Sequence, residues 1–412
     1  MIPNLRFKGF SEQWKPTNIG IVADKIEYGL NVAATIFDGE NKYIRITDID
    51  DKSHRYLDQN KVSPAGYMTD QYLVKEGDIL LARTGASTGK SYLYKVEDGK
   101  MYFAGFLIRA RIKESVDHRF VYYQTWRSHY DRWVKVMSMR SGQPGINATE
   151  YASFEFNIPS FNEQKKISDF FSLLDQRIEK QQEKIEQLEL FKRGMIQKIF
   201  SQAVRFKDDN GQDFPEWDTV SLEDLGSFIK NYSYSRSMEG EGDYHHIHYG
   251  DIHSKLDGII DSNTELPTLS IEPGNTPFTI LKSGDVIFAD ASEDRADLGK
   301  STVLLEVNGR EILGGLHTHC FRPNNNLDPL FLNFFTQTNE YRKFININAN
   351  GVSVFGLSKP ALSSLEIPLP NIREQVKISD FLYKLTQKIR LLKQKKAELG
   401  LMKKGFMNQM FV

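Results

Sequence analysis

Two long stretches of the chain carry apolar residues at alternating steps of three and four positions. The first runs from Glu163 to Phe200 and the second from Glu374 to Phe411. Neither contains proline, so nothing interrupts a helix over many turns. The alternating steps place the apolar side chains on one narrow stripe, as in a coiled coil, with Gln181 and Lys192 filling two gaps in the first stripe. We predict two helices of roughly 55 Å each, because an α-helix rises about 1.5 Å per residue. The predicted helix-pairing residues are Ile167, Phe171, Leu174, Ile178, Ile185 and Leu188 in the first helix and Ile378, Leu382, Leu385, Ile389, Leu392 and Leu399 in the second.

The two stretches align with each other at a constant offset and without a gap. Residues 167–170 and 378–381 both read Ile-Ser-Asp-Phe. Agreement in both register and heptad phase indicates an internal duplication. A narrow apolar stripe requires a partner helix, and the second copy provides one within the same chain. Because the connector 201–218 is short and polar, we predict that the two helices pair antiparallel.

Each long helix follows a globular segment with short, β-rich elements. In the first half, residues 42–49 alternate as a strand does, and residues 117–137 carry aromatic side chains at helical spacing. The same order returns in the second half. The pattern predicts an α+β protein in which two similar domains alternate with two long helices that form an antiparallel coiled coil. The predicted divisions are an N-terminal domain at 1–162, a central helix at 163–202, a second domain at 203–372 and a C-terminal helix at 373–412.

Composition restricts the location of the protein more than its function. The formal net charge of the 412 residues is −1, so a surface for nucleic acid must come from local clustering of basic residues. The single cysteine, Cys320, excludes an intramolecular disulfide and favours a reducing compartment. The first residues lack the apolar core of a signal peptide, and no run approaches about 18 apolar residues. We expect a cytoplasmic protein with no membrane partner.

Basic and aromatic residues lie in or beside glycine-rich loops of both halves. Arginine is the usual reader of guanine and glutamine of adenine, whereas lysine mostly neutralises phosphate. Any one of these residues could equally be an ordinary solvated loop charge. The predicted DNA-binding residues are Arg83, Thr84, Lys90, Arg140 and Gln143 in the first half and Tyr234, Arg236, Arg295, Lys300 and Lys359 in the second.

Other motifs in the loops resemble catalytic or metal-binding motifs but lack the spacing that those motifs require. Residues 85–91 read GASTGKS, which has one residue too few between its glycines for a phosphate-binding loop. The equivalent stretch, ASEDRADLGKS at 291–301, has lost the first glycine and gained acidic residues. The histidines at 245–253 and 317–319, with Cys320, match no usual zinc spacing and are absent from the first half. The chain also lacks any Pro-Pro pair, and hence the Asp/Asn-Pro-Pro-Tyr/Phe box of an amino-methyltransferase. We predict no catalytic residues and no metal site.

The junctions between domain and helix carry a family resemblance. The stretches IPSFNEQKKISDFFSLLD at 158–175 and IPLPNIREQVKISDFLYKL at 367–385 resemble the specificity subunits of Type I restriction–modification systems. GDILLARTGASTG at 77–89 and the pair YIRITDI and HIHYGDI are similar to target-recognition domains of that family. The resemblance covers essentially the whole chain, including the order of domains and helices.

The resemblance implies a subunit that recognises DNA without catalysing a reaction. Each domain would read one part of a split, asymmetric target in double-stranded DNA. The helices would act as spacer and docking surface for two modification (methyltransferase) subunits and, through them, for restriction (endonuclease/translocase) subunits. It implies no cofactor in this subunit, with S-adenosylmethionine, ATP and magnesium expected only on partner subunits. Two rival hypotheses are a self-contained modification or cleavage enzyme and a coiled-coil scaffold that does not bind DNA.

Overall fold

The computed structural model of the chain describes residues 1–66, 68–139, 144–271 and 278–412. These residues form two compact units. Unit 1 contains residues 1–181 and 395–412, and unit 2 contains residues 182–394. Both ends of the chain therefore belong to unit 1, and each long helix contributes residues to both units. The boundaries predicted from sequence, at 162, 202 and 372, stay predictions.

Unit 1 is built on an antiparallel four-stranded sheet. Its strands are β1 (Lys15–Asn18), β2 (Ala23–Tyr28), β3 (Ala34–Ile36), β4 (Lys42–Ile44), β5 (Val62–Pro64), β6 (Asp78–Ala82), β7 (Ser91–Leu93), β8 (Met101–Phe103), β9 (Leu107–Ile112) and β10 (Glu155–Ile158). Its helices are α1 (Ile19–Val22), α2 (His118–Gln124), α3 (Ser128–Ser138), α4 (Ala148–Ala152) and the first half of α5 (Phe161–Phe200). The main sheet has the order β2-β9-β6-β7, while β1 pairs with β10, β3 with β5, and β4 with β8.

Unit 2 repeats this frame with additions. Its strands are β11 (Asp218–Ser221), β12 (Gly226–Ile229), β13 (Glu239–Ile247), β14 (Ile259–Ile260), β15 (Thr268–Leu269), β16 (Val286–Ala289), β17 (Ala291–Ser292), β18 (Ser301–Leu304), β19 (Glu311–Gly314), β20 (Thr318–Pro323), β21 (Phe355–Gly356) and β22 (Glu366–Leu369). Its helices are α6 (Tyr249–Ser254), α7 (Pro329–Phe335), α8 (Asn339–Asn348), α9 (Lys359–Ser363) and α10 (Ile372–Met410), which ends in unit 1. The sheet order β12-β20-β16-β18 matches that of unit 1, and β14 adds a fifth, parallel strand.

The same polar contacts hold both sheets. At the start of β6 and directly before β16, a buried aspartate accepts hydrogen bonds from an arginine of the neighbouring strand. Arg111 Nε lies 2.7 Å from Asp78, and Arg322 Nε lies 2.7 Å from Asp285. A tyrosine hydroxyl of the following helix donates to a glycine carbonyl, from Tyr130 to Gly89 at 2.9 Å and from Tyr341 to Gly299 at 2.7 Å. The two units thus share a topology and its internal contacts, which confirms the predicted pair of similar domains.

In each unit, α5 and α10 run antiparallel. In unit 1 the start of α5 meets the end of α10: Phe171 and Phe411 have ring centroids 5.6 Å apart, and Lys403 Nζ lies 2.6 Å from Asp175. In unit 2 the end of α5 meets the earlier part of α10, where Phe200 and Ile378 share one apolar cluster. The prediction of antiparallel pairing is confirmed. All twelve predicted helix-pairing residues are buried or half-buried.

Two predicted elements are shorter than the sequence pattern indicates. The strand expected at 42–49 ends at Ile44, because the side chain of Asp48 accepts from the backbone N–H of Arg45 and from its guanidinium, at 2.9 and 2.8 Å, and closes a turn. The helix expected at 117–137 is two helices, since the hydroxyl of Thr125 donates to the carbonyl of Tyr122 at 2.7 Å where α2 ends. Among the described residues, no helix has the length and apolarity to cross a membrane.

Candidate nucleic-acid interface

The loop that follows the central strand carries different chemistry in the two units. Arg83 directly follows β6, and its guanidinium lies over the ring of Tyr28 at 4.9 Å. Its backbone N–H donates to the carbonyl of Phe106 at 3.0 Å, and its carbonyl accepts from Ile146 at 2.9 Å. The sequence therefore presents a cation here, fixed on both sides by the backbone.

Asp290 occupies the equivalent position in unit 2. It directly follows β16, its N–H donates to the carbonyl of His317 at 3.1 Å, and its carbonyl accepts from Leu357 at 2.8 Å. The carboxylate of Asp290 lies 3.3 Å from Nδ1 of His317 and 3.5 Å from Nδ1 of His319. Arg83 and Asp290 are thus held by the same backbone bonds but present opposite charges.

The other predicted residues of the first unit are partly engaged in its own structure. Thr84 forms a backbone bridge with Gly145. Lys90 donates to the carbonyl of Ile49 at 2.9 Å and contacts the carboxylate of Asp51, so that only 10% of its side chain is exposed. A phosphate contact by Lys90 would have to replace one of these partners, and the assignment stays a prediction. Arg140 and Gln143 lie outside the described residues.

In unit 2, Tyr234 and Arg236 lie on one loop beside an aromatic group. The ring of Tyr234 stacks on Tyr232 with centroids 5.8 Å apart, and the edge of Phe278 meets both rings. Arg236 is half exposed, and its Nη2 lies 3.3 Å from the buried carboxylate of Asp251. This loop offers an aromatic face and a cation that is only weakly held.

Two further cations of unit 2 lie beside the paired strands β17 and β21. Arg295 is exposed and lies over the ring of Phe355, a residue of β21, at 4.6 Å. Lys359 is half-buried at the first position of α9, shortly after β21. Lys300 is bound to Asp297 at 2.5 Å. Arg295 and Lys359 thus each follow one strand of this pair.

The histidines of unit 2 act as structural and aromatic side chains. His248 caps α6 by accepting from Gly250 at 3.1 Å, and its ring lies 4.4 Å from that of Tyr249. Burial lowers the pKa of His246, His248 and His319. Burial also raises the pKa of the Cys320 thiol to about 12, so this sulfur is not a thiolate near neutral pH. Within the described ranges, no group of three or more histidine, cysteine or acidic side chains is placed to hold a metal ion.

Three further residues at these loops are not indicated by the pattern of basic residues in the sequence. Phe106, beside Arg83, is 59% exposed, and Asp290 and His317 form the matching pair in unit 2. An apolar or acidic residue gives no signal in a search for phosphate contacts. The repeat itself offered one, because aligning Gly77-Asp78 with Gly284-Asp285 places Arg83 on Asp290.

A comparison with protein families identifies the class of this chain. The family model described as Type I restriction modification DNA specificity domain matches residues 12–190 and 215–401. The two matches cover most of the chain and coincide with its two repeats. The chain belongs to this family.

Relatives and solved structures agree with this assignment. The chain is 24% identical, over 353 residues, to the Type I restriction enzyme MjaVIII specificity subunit of Methanocaldococcus jannaschii, covering 82% of this chain and 79% of the relative. It is 25% identical, over 427 aligned positions, to a putative type I restriction enzyme MjaX specificity subunit of the same organism, covering 96% and 92%. The crystal structure of a Type I S subunit from M. genitalium superposes with a TM-score of 0.61 at 17% identity, covering 100% of this chain and 99% of that chain. A chain from a study of assembly and conformational transition in the type I system gives 0.54 at 18% identity, covering 96% and 97%. These two structures share the fold of this chain.

Proposed function

We propose that this chain is the non-catalytic subunit that reads a split, asymmetric target in double-stranded DNA, with one part of the target read by each unit. The main support for this proposal is that the two units have the same sheet topology and the same internal contacts but differ at the loops. Asp78–Arg111 recurs as Asp285–Arg322, whereas Arg83 is replaced by Asp290. One frame with two different loop surfaces is suited to two different base sequences.

The contacts with DNA follow from the exposure and charge of the loop residues. Arg83, Arg236 and Arg295 are the proposed base contacts, since a guanidinium can donate two parallel hydrogen bonds to guanine. Lys359 is the proposed phosphate contact. Lys90 and Lys300 would act in this way only after release from Asp51 and Asp297.

Two methyltransferase subunits are the proposed partners of the long helices. Large apolar residues are exposed at equivalent positions of both helices. The pairing of α5 with α10 does not explain these residues, because it leaves them in solvent. A surface repeated by the duplication fits two copies of one partner. These pairs are Phe161 and Ile372, Leu190 and Leu401, and Phe191 and Met402. Restriction subunits would bind through the methyltransferase, and S-adenosylmethionine, ATP and magnesium would be bound by those partners.

Methylation mapping tests the proposal. The purified chain, the methyltransferase subunit and their complex are each incubated with S-adenosylmethionine and genomic DNA, and methylated adenines are located by sequencing. We expect methylation only with the complex, at a motif of two separated parts. Methylation by the chain alone would favour the self-contained enzyme, and binding of the partner without any preference for DNA sequence would favour the scaffold.

Surface variants test the docking surface. Leu190→Glu with Leu401→Glu is expected to lower the number of methyltransferase copies bound, as measured by native mass spectrometry. Lys184→Glu, an exposed change on the same helix, is the matched control. Two copies bound to the double variant would contradict this assignment of the surface.

A further inference from the structure

We propose that the residue directly after the central strand determines the class of base read by each unit: Arg83 selects a base edge with two acceptors, and Asp290 with His317 selects a base edge that carries an amino group. The inference rests on the proposed function, because it assigns specificity to positions within the two reading surfaces. It concerns unit 1 and unit 2 separately.

The backbone around the two residues is held in the same way. The N–H groups of Arg83 and Asp290 both donate to the carbonyl of the residue just before the neighbouring strand, β9 or β20, at 3.0 and 3.1 Å. Their carbonyls both accept from the segment after α3 or α8, at 2.9 and 2.8 Å. Since bonds on both sides fix the backbone, a substitution at this position changes the chemistry presented there more than the position itself. Such a site allows the bases read to change without a change of fold.

The chemistry of unit 1 at this position is that of a donor. A guanidinium carries five N–H groups and no acceptor. Among the described residues, the guanidinium of Arg83 donates one hydrogen bond, a long one from Nη1 to the carbonyl of Gly105 at 3.4 Å, and forms no ion pair with a carboxylate. The ring of Tyr28 supports one face of the guanidinium at 4.9 Å, and the backbone carbonyl of the exposed Phe106 accepts from the N–H of Arg83. A planar fork of donors without an ion pair to the described residues matches O6 and N7 of guanine.

The chemistry of unit 2 is that of an acceptor. The carboxylate of Asp290 accepts only, and Nδ1–H of His317 donates to it at 3.3 Å. In the tautomer that makes this bond, Nε2 carries no proton and is a second acceptor. Both groups reach solvent, with 18% of the Asp290 side chain and 49% of the His317 side chain exposed. Two acceptors match the amino group that cytosine or adenine presents in the major groove. They do not match guanine, whose major-groove edge presents only the acceptors O6 and N7.

The surroundings of Asp290 hold it in place. Nε2 of His319 donates to the carbonyl of Leu357 at 2.7 Å, which fixes the ring behind the carboxylate. His317 has a φ of 56°, in the left-handed region that few residues other than glycine adopt. Residues held in such conformations cluster at functional sites. A purely structural role for Asp290, as the anchor of His317, is the alternative that the experiment must separate.

The test uses the full chain assembled with its methyltransferase subunits and a library of randomised DNA targets. Bound sequences are selected and counted for the wild type, Arg83→Ala, Asp290→Asn and His317→Ala. Arg83→Ala is expected to remove a preference for guanine at one position, lowering affinity for the preferred base by about 5- to 150-fold. Asp290→Asn keeps the shape but adds N–H donors, and is expected to relax or reverse the preference at one position in the other part of the target.

Control variants separate the possible outcomes. Glu293→Gln, an exposed position just after β17, is expected to leave the motif unchanged. Arg83→Lys keeps the charge but loses the paired donors, so it should also lose the preference for guanine. If Asp290→Asn and Arg83→Ala both retain the wild-type motif, or if both alter the same part of it, the inference is overturned while the proposed function stands. If His317→Ala alone alters the motif and Asp290→Asn does not, Asp290 is an anchor and its proposed role is overturned. A wild-type complex without any sequence preference would instead overturn the proposed function.

Discussion

Glu179 and Arg390 occupy the same position in the two copies of the long helix and carry opposite charges. In unit 1, Glu179 forms an ion pair with Arg55. In unit 2, Arg390 forms an ion pair with Asp257, and it also donates to Asp261 at 2.9 Å and to the carbonyl of Ile259 at 2.6 Å. The polarity of the contact between helix and domain is therefore reversed between the repeats. Each copy of the helix carries the charge that its own domain requires.

The first prediction concerns these ion pairs. Burial alone would raise the pKa of Asp257. The hydrogen bonds and the positive charge of Arg390 outweigh this effect, so the pKa of Asp257 is lowered. Arg390→Ala leaves that carboxylate without its main partner, so we expect a loss of about 1–3 kcal/mol in the free energy of unfolding. Glu179→Ala should lose only about 0.2–1 kcal/mol, because its ion pair with Arg55 is about one-third exposed and lacks the further acceptors that Arg390 has in Asp261 and Ile259. Urea denaturation followed by circular dichroism measures both, and a larger loss for Glu179→Ala would contradict the ranking.

The second prediction concerns two lysines at equivalent positions of the helices. Lys403 lies 2.6 Å from Asp175 and 4.2 Å from the ring centre of Trp126. Lys192 lies over Phe334 at 5.3 Å, and the residue equivalent to Asp175 is Thr386. Burial therefore lowers the pKa of Lys192 to about 8. We expect Lys192→Met to stabilise the protein by on the order of 1 kcal/mol near neutral pH, and Lys403→Met to destabilise it by a similar amount, because Asp175 loses its partner.

The pH dependence provides the control for Lys192. Its folded pKa lies below the unfolded value of 10.5, so burial of the ammonium opposes folding fully at a pH below about 8. Above that pH the folded protein releases the proton first, and the stability of the wild type rises relative to Lys192→Met. The advantage of the variant should shrink as the pH increases from about 8 towards 10.5, as measured by thermal unfolding. An advantage independent of pH in this range would show that packing, and not charge, is responsible.

The third prediction concerns His54 in unit 1. Its ring lies 4.2 Å from that of Trp126, and its Nδ1 lies 3.1 Å from the hydroxyl of Ser91. Burial, with the nearby charges of Lys90 and Lys403, lowers its pKa to about 4. The unfolded chain binds the proton near pH 6.5 and the folded chain does not, so the stability present at neutral pH is lost as the pH falls below about 6.5.

Replacement of His54 should flatten this loss. We choose His54→Asn, because the φ of 55° at this position is tolerated by asparagine better than by most residues. Between about pH 7 and 5 the wild type should lose on the order of 1–2 kcal/mol more than the variant. Urea denaturation at the two pH values provides the comparison, with each protein serving as its own reference at neutral pH. Equal losses in both proteins would contradict the prediction.

The fourth prediction concerns the salt dependence of DNA binding. A lysine that neutralises one phosphate contributes about one unit to the slope of log affinity against log salt concentration. Lys359→Ala is expected to reduce this slope by about 1 and to weaken binding to all DNA sequences by a similar factor. Lys300→Ala should have a smaller effect, because Lys300 is already bound to Asp297. Fluorescence anisotropy of the assembled complex between about 50 and 200 mM salt measures both slopes. A change of sequence preference in Lys359→Ala would instead assign this residue to base reading.

The sequence was sufficient to predict the duplicated fold and insufficient to define the reading loops. Heptad spacing is a regular, long-range signal that indicated both helices, and the short polar connector 201–218 indicated their antiparallel pairing. The contacts of Lys90 with Ile49 and Asp51 depend on two segments distant in sequence, so composition showed a basic residue but not its burial. Phe106 was missed because exposure cannot be read from a strand pattern of alternating apolar residues. The charge of a single residue therefore predicts a binding site less well than periodicity predicts a helix. Tertiary contacts determine which charged side chains remain available to bind DNA.

Unit 1 brings together residues near the beginning and the end of the chain. The N–H of Leu5 donates to the carbonyl of Gln409 at 2.9 Å, and Nδ2 of Asn157 donates to the carbonyl of Val412 at 3.3 Å. A short peptide could join these ends, and new termini could be opened in the polar connector between α5 and β11 without removing any strand or helix. Such a circular permutant would present the same two loop surfaces in reversed covalent order.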